Sequence, residues 1–247
     1  MKTCVIIPVY NHEHAIVHVI SRIKEYGIPC LLVNDGSSTA CSEVLVDCAR
    51  QESSWLTLLN RAENGGKGAA VIDGFNAAKR LGYTHALQID ADGQHNIDDI
   101  PRFLEAGRPN PNAMILGKPV FDESIPKHRL YGRYLTTLCI MINTLSFAIA
   151  DGMCGFRLYP LTAVDKLIST TQIGQRMNYD IDIVVRLYWQ GVEAINIRGV
   201  AIFAKAFLGI PAQQAAKITR PLMPSAAPAV LLHSLHTQQG VCNIVTQ

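Results

Sequence analysis

The segment Ala86-Leu-Gln-Ile-Asp90-Ala-Asp92-Gly-Gln94-His95 constrains the fold of this chain more than any other. An apolar strand runs into two carboxylates spaced i, i+2, with Gly93 behind them to turn the backbone. Alternate residues of an extended chain share a face, so the two acids are expected to converge on one point. Like charges that close are costly unless a cation lies between them. An all-oxygen set, with Gln94 adding a neutral carbonyl, suits a hard ion, Mg²⁺ or Mn²⁺, held by Asp90, Asp92 and Gln94. Such ions keep positions open for substrate phosphates, which predicts a metal–diphosphate site. The competing reading is a solvated Asp-rich turn.

Two earlier segments repeat the plan of an apolar run ending in polar residues. Cys4-Val-Ile-Ile-Pro8-Val-Tyr10-Asn11 precedes a helical pattern with Ile16, Val19, Ile20 and Ile23 on one face. Cys30-Leu-Leu-Val-Asn34 leads into Asp35-Gly-Ser-Ser38. Runs that are apolar at every position suit strands buried on both faces of a parallel sheet. Asp35 falls at a strand's carboxyl end, where open α/β sheets bind ligands, and is read as an acceptor for a base imide or a ribose hydroxyl. An Asx-turn is the alternative. Glu63-Asn64-Gly-Gly66-Lys67-Gly68 opens a helix, but the Gly-x₄-Gly-Lys-Ser/Thr spacing of a Walker A loop is absent. It is read as packing beside a nucleotide with Lys67 reaching a phosphate, or else as a plain glycine-rich turn.

Pro8-Val-Tyr10-Asn11, Val33-Asn-Asp35-Gly-Ser-Ser38, Glu63-Asn64-Gly-Gly66-Lys67-Gly-Ala69, Asp90-Ala-Asp92-Gly-Gln94 and Gly155-Phe156-Arg157-Leu-Tyr159 occur in that order. Together they resemble family 2 glycosyltransferases of the GT-A fold, in the branch of dolichol-phosphate mannosyltransferase. The resemblance spans about residues 3 to 198. It implies a single α/β domain with a Rossmann-like, mostly parallel sheet flanked by helices. It also implies that Pro8, Tyr10, Val33 and Asp35 line the base and ribose pocket. Asp90, Ala91 and Asp92 would contact the diphosphate and its metal. Arg157 would lie near the active site, pairing with phosphate or fixing Asp90 and Asp92. An acid in Arg176-Met-Asn178-Tyr-Asp180-Ile-Asp182 would lie near the acceptor. Residues i and i+2 of a helix point about 200° apart, so only one of Asp180 and Asp182 can face it, and Asp180 is favoured. One departure is His12, with Glu13 after it, where the family usually has an acid directly after Asn11.

The implied activity is inverting transfer of a hexose from a UDP- or GDP-linked donor to a lipid or lipid-linked acceptor, with a divalent metal. Two other classes remain open: a nucleotide-sugar-binding protein without turnover, and a sugar nucleotidyltransferase. The second is disfavoured because no Gly-rich Arg/Lys loop follows the first strand.

A length of 247 residues suits one large core, and a net charge of +2 without basic–aromatic runs gives no nucleic-acid signature. The seven cysteines (Cys4, Cys30, Cys41, Cys48, Cys139, Cys154 and Cys242) are odd in number, mostly within apolar runs, and without a CxxC pair. That pattern predicts reduced core thiols, no zinc and a cytoplasmic setting. No signal peptide is expected, because the core begins at residue 4. Residues 134–150 carry no charge but include Thr136, Thr137, Asn143, Thr144 and Ser146. They fall short of the roughly 20 apolar residues of a span. A helix packed on the sheet or lying at an interface is expected, giving peripheral membrane association at most. Lys127, His128, Arg129 and Arg133 beside it are read as holding anionic lipid or acceptor phosphate, or as solvated charges.

After Glu193 there is no acid to the end, and Pro211, Pro221, Pro224 and Pro228 interrupt any long helix. The chain therefore divides into a catalytic domain over 1–199 and a non-conforming tail over 200–247. The tail is read as disordered or as the product of a frame change.

Overall fold

The computed structural model describes residues 1–120 and 127–201. Most of the tail singled out above, from residue 202, therefore lies outside the described residues. The described strands are β1 (Thr3–Val9), β2 (Cys30–Asn34), β3 (Leu56–Asn60), β4 (His85–Gln88), β5 (Met114–Val120), β6 (Arg157–Pro160) and β7 (Ala194–Ala201). They form one sheet in the order β3-β2-β1-β4-β6-β5-β7. Every pairing is parallel except those of β6, which runs antiparallel to β4 and β5. The expected α/β class and mostly parallel sheet are thus observed.

The helices are α1 (Glu13–Lys24), α2 (Thr39–Gln51), α3 (Lys67–Arg80), α4 (Ile100–Gly107), α5 (Lys127–Thr144), α6 (Leu161–Thr170) and α7 (Tyr179–Trp189). Alternation along the strands separates two cores. Val5, Ile7, Leu32 and Leu87 meet α1, α2 and α4 through Ile16, Val19, Leu45 and Phe103. Cys4, Ile6, Leu31 and Val33 meet α3, α5, α6 and α7 through Phe75, Ile140, Val164 and Ile183. Burial on both faces is the reason the strands carry no polar alternation.

α5 does not follow the usual arrangement of an apolar face inside and a polar one outside. Its buried positions include Thr136 and Ile140, while Tyr131, Tyr134, Leu135, Leu138 and Ile142 are exposed. The helix lies against α7, where the Trp189 indole N–H donates to the Asn143 carbonyl at 3.0 Å. Among the described residues no helix is long and apolar enough to cross a membrane.

Candidate active site

The carboxyl ends of β1, β2 and β4 gather the sequence motifs at one edge of the sheet, the usual ligand edge of open α/β folds. Pro8 and Val33 are register partners on β1 and β2. The Val33 side chain is fully buried in the core, so only its backbone is available to a ligand. Ala91 is buried likewise, whereas Tyr10, just past β1, is 48% exposed. Asn11 ties this end to the next loop: its N–H donates to Ser37 Oγ at 3.2 Å, and its side-chain oxygen accepts from the Ser38 N–H at 2.8 Å.

Asp35 is organised differently from the sequence expectation. Its buried carboxylate takes hydrogen bonds from the Gly65 N–H (3.0 Å), the Gly66 N–H (2.8 Å), the Asn64 side-chain amide (3.1 Å) and the Arg61 guanidinium. Four donors thus converge on this one carboxylate. Asp35 therefore shapes the glycine-rich loop. The neighbouring Asn34 ties the turn locally, its side-chain oxygen accepting from the N–H of Ser37, three residues on, at 3.0 Å. The glycines of the loop serve chain packing: a Cβ at Gly68 would collide with the Gly174 carbonyl and the Tyr179 side chain.

Asp90 and Asp92 stand beyond the end of β4 at Gln88, so strand alternation does not orient them. Asp90 turns toward Lys67, whose Nζ is 2.8 Å from Asp90 Oδ1. Asp92 Oδ1 accepts the Gln94 N–H at 3.0 Å. Lys67 begins α3, and its ammonium also meets Asp180 Oδ2 at 2.8 Å. One cation thus joins the candidate diphosphate carboxylate to the candidate acceptor carboxylate. Burial raises the Asp90 carboxyl, but Lys67 and His95 outweigh it and hold the group well below the usual carboxylate range. Burial disfavours the Lys67 ammonium, yet Asp180 and Asp90 raise its pKa above the ordinary lysine value. Lys67 therefore pairs with two internal carboxylates.

Asp180 and Asp182 diverge as the helical period requires. Asp182 accepts the Gly174 N–H at 2.8 Å and the Arg186 guanidinium at 2.5 Å, closing the approach to α7. Asp180 faces Lys67, and Asp180 Oδ1 is 3.7 Å from Arg157 Nη1.

Arg157 is wholly buried and donates to the Asp180 carbonyl at 2.7 Å, the Gly152 carbonyl at 2.8 Å and the Tyr159 hydroxyl at 3.0 Å. These contacts position the first turn of α7 and correct the expectation that Arg157 fixes Asp90 and Asp92. The loop before it is fastened by Asp151, which accepts the Met153 and Cys154 N–H groups and pairs with Arg133 of α5 at 2.5 and 2.9 Å. Arg133, read as a lipid or phosphate ligand from sequence, is committed to that pair.

His95 was not singled out from the sequence. It is buried against the Phe156 ring at 5.5 Å, with Nε2 3.6 Å from Asp90 Oδ2. Its signal was only its adjacency to the Asp90–Gln94 motif.

The donor chemistry fits a hard divalent cation whose shell a substrate completes. Asp90 Oδ1 is buried and lacks a well-directed hydrogen bond. Among the described residues no group of three or more His, Cys, Asp or Glu side chains is placed to hold a metal ion. One or two carboxylates with open positions is the usual protein share of a Mg²⁺ or Mn²⁺ site that also takes phosphates.

The family model for glycosyl transferase family 2 matches residues 4–168. The chain is 24% identical over 209 residues to the polyprenol monophosphomannose synthase of Mycolicibacterium smegmatis, covering 79% of this chain and 76% of that one. It is 28% identical over 200 residues to a dolichyl-phosphate beta-glucosyltransferase of Trichomonas vaginalis, covering 73% of this chain and 59% of the relative. Its fold is similar to that of glucosyl-3-phosphoglycerate synthase from Mycobacterium tuberculosis, solved with Mn²⁺, UDP-glucose and glycerol 3-phosphate. The TM-score there is 0.62 at 14% identity, over 98% of this chain and 81% of that one. The seven-stranded sheet is accordingly a GT-A fold, and the chain is a glycosyltransferase belonging to glycosyl transferase family 2.

Proposed function

We propose that this enzyme moves a hexose from a UDP- or GDP-linked donor to a lipid phosphate or lipid-linked acceptor, with inversion and with Mg²⁺ or Mn²⁺. The observation that carries the reading is the meeting of Asp90 and Asp180 at Lys67, on the ligand edge of the sheet. It sets a candidate diphosphate group beside a candidate acceptor group. The acceptor class is supported by the relatives described as polyprenol- and dolichyl-phosphate enzymes.

Asp90 and Asp92 would hold the cation, with Gln94 beside them. Bound there, the cation supplies neutralisation of the charge that develops on the departing diphosphate. Arg157 keeps the start of α7 in place, so Asp180 meets the acceptor in a fixed position. For a hydroxyl acceptor Asp180 takes the proton. For a lipid phosphate the nucleophile is already ionised, and Asp180 serves to orient it. In either case one in-line displacement inverts the anomeric carbon.

The exposed apolar stripe of α5 supports peripheral attachment at a membrane, where a lipid acceptor would reside. The buried free thiols of Cys4, Cys30, Cys41 and Cys154 support the cytoplasmic face.

The test incubates the protein with Mn²⁺, labelled UDP- or GDP-hexoses and a polyprenyl phosphate. Label in the lipid phase with release of nucleoside diphosphate is expected. Nucleotide binding without turnover would make the chain a binding module, and pyrophosphate exchange would make it a nucleotidyltransferase.

A further inference from the structure

The position of Lys67 runs against helix electrostatics. It occupies the first residue of α3, where the helix dipole disfavours a cation. Its ammonium nevertheless lies 2.8 Å from carboxylate oxygens on two other segments. Its side chain is only 21% exposed. The two carboxylates use it incompletely, since Asp90 Oδ1 and Asp180 Oδ1 are both buried without a well-directed hydrogen bond. Arg157 adds a second fixed cation on the Asp180 side, at 3.7 Å. Asp90 and Asp180 thus share one ammonium, with Arg157 beside Asp180 and His95 Nε2 3.6 Å from Asp90 Oδ2.

From this arrangement we infer that Lys67 is a positioning residue that competes with the divalent cation for Asp90 and makes metal and nucleotide binding cooperative. The inference rests on the proposed reading of Asp90 and Asp92 as the cation's ligands. A divalent ion on Asp90 meets the ammonium at the same oxygen, so the two repel at close range. The cation alone must displace Lys67, which lowers its affinity. A diphosphate arriving with the cation offers the displaced ammonium a new anionic partner and offsets that cost. Lys67 would then leave Asp90 while its stem stays anchored at α3, and the Asp180 carboxylate would be freed toward the acceptor. Coupling between two ligands of this kind usually amounts to 5–150-fold and is reciprocal.

The experiment measures Mn²⁺ affinity from the electron paramagnetic resonance signal of the free ion, first with protein alone. UDP and GDP are then titrated at saturating Mn²⁺. The wild type is expected to bind Mn²⁺ weakly alone and more tightly with nucleotide. Lys67→Met is expected to bind Mn²⁺ alone about tenfold tighter and to lose most of the nucleotide enhancement. Lys67→Arg, which keeps the charge, should behave as wild type. If Lys67→Met fails to fold, Lys67→Met with Asp180→Asn removes the second unpaired carboxylate and should still bind Mn²⁺ more tightly than wild type. Wild-type binding that Lys67→Met leaves unchanged overturns this inference alone. A wild-type protein that binds no Mn²⁺ with or without nucleotide overturns the metal reading of the site and the inference together.

Discussion

Gly155 lies so close to Asp90 that a Cβ there would overlap both oxygens of the Asp90 carboxylate. This contact gives the Gly155-Phe156-Arg157 motif a physical reason. The glycine admits Asp90, the Phe156 ring backs His95, and Arg157 holds α7. Gly155→Ala should therefore push Asp90 away from Lys67. Overpacking of this kind costs about 1–3 kcal/mol, to be read from urea unfolding. Donor binding should fall with it. A variant with wild-type stability and wild-type nucleotide affinity would show that Asp90 need not occupy its observed position.

Asp92→Asn tests the other acid with little structural cost. Its contact to the Gln94 N–H at 3.0 Å can be kept by the amide oxygen of asparagine. Metal-dependent binding of UDP- or GDP-sugars should be abolished while the circular dichroism spectrum and melting temperature stay near wild type. Unchanged nucleotide affinity with Mn²⁺ present would remove Asp92 from the ligand set.

Asp35→Ala should act on the loop. It would leave the Gly65 and Gly66 N–H groups and the Arg61 guanidinium without their shared acceptor. Arg61 keeps Asp73 as a partner at 2.7 Å, so the expected cost is that of the unsatisfied loop N–H groups, about 1–3 kcal/mol. Chemical denaturation reads the loss. A near-neutral effect would mean that the loop is held by packing alone.

How much of this was legible beforehand follows from the range of the interactions. β1, β2 and the entry to the Asp90 turn were visible because strands buried on both faces write continuous apolar runs. The antiparallel β6 between β4 and β5 was not, since its direction is set by pairings with strands distant in sequence, which no local pattern encodes. The Lys67–Asp180 contact joins residues 113 apart in sequence, and no local spacing encodes it. The hold of Asp35 on the glycine-rich loop was not legible for the same reason, because its donors come from a loop about 30 residues later. Arg157 carried a motif but not its partners, which only the turn into α7 supplies.

His85 gives a pH dependence separate from the site. It is buried, its Nε2 donates to the Pro111 carbonyl at 2.8 Å, and burial lowers its pKa despite that bond. The unfolded chain takes up a proton near pH 6.5 while the folded ring resists it. More protons are then bound by the unfolded state, so stability should fall as the pH drops below about 6.5. Unfolding midpoints in urea between pH 7 and pH 5 measure the slope. His85→Gln should flatten it, and an equal slope in that variant would assign the effect to another histidine.

The last prediction concerns α5. Tyr131, Leu135, Leu138 and Ile142 recur at spacings of four and three, so they form one stripe along the helix, and all are more than half exposed. Leu145 and Phe147 continue it past the helix end at 91% and 82% exposure. Beneath the stripe, Arg133 joins α5 to Asp151, and the Asp151 loop carries Gly152, which Arg157 holds. The surface that would touch lipid is thus linked to the turn that presents Asp180. Binding to vesicles of anionic lipid should weaken roughly tenfold or more in Leu138→Ser with Ile142→Ser, since each fully buried aliphatic side chain contributes about 1.5–3 kcal/mol. Donor hydrolysis in the absence of lipid should be unaffected, because neither residue contacts Lys67, Asp90 or Asp180. Equal sedimentation of wild type and variant with vesicles would show that the stripe meets something other than a bilayer.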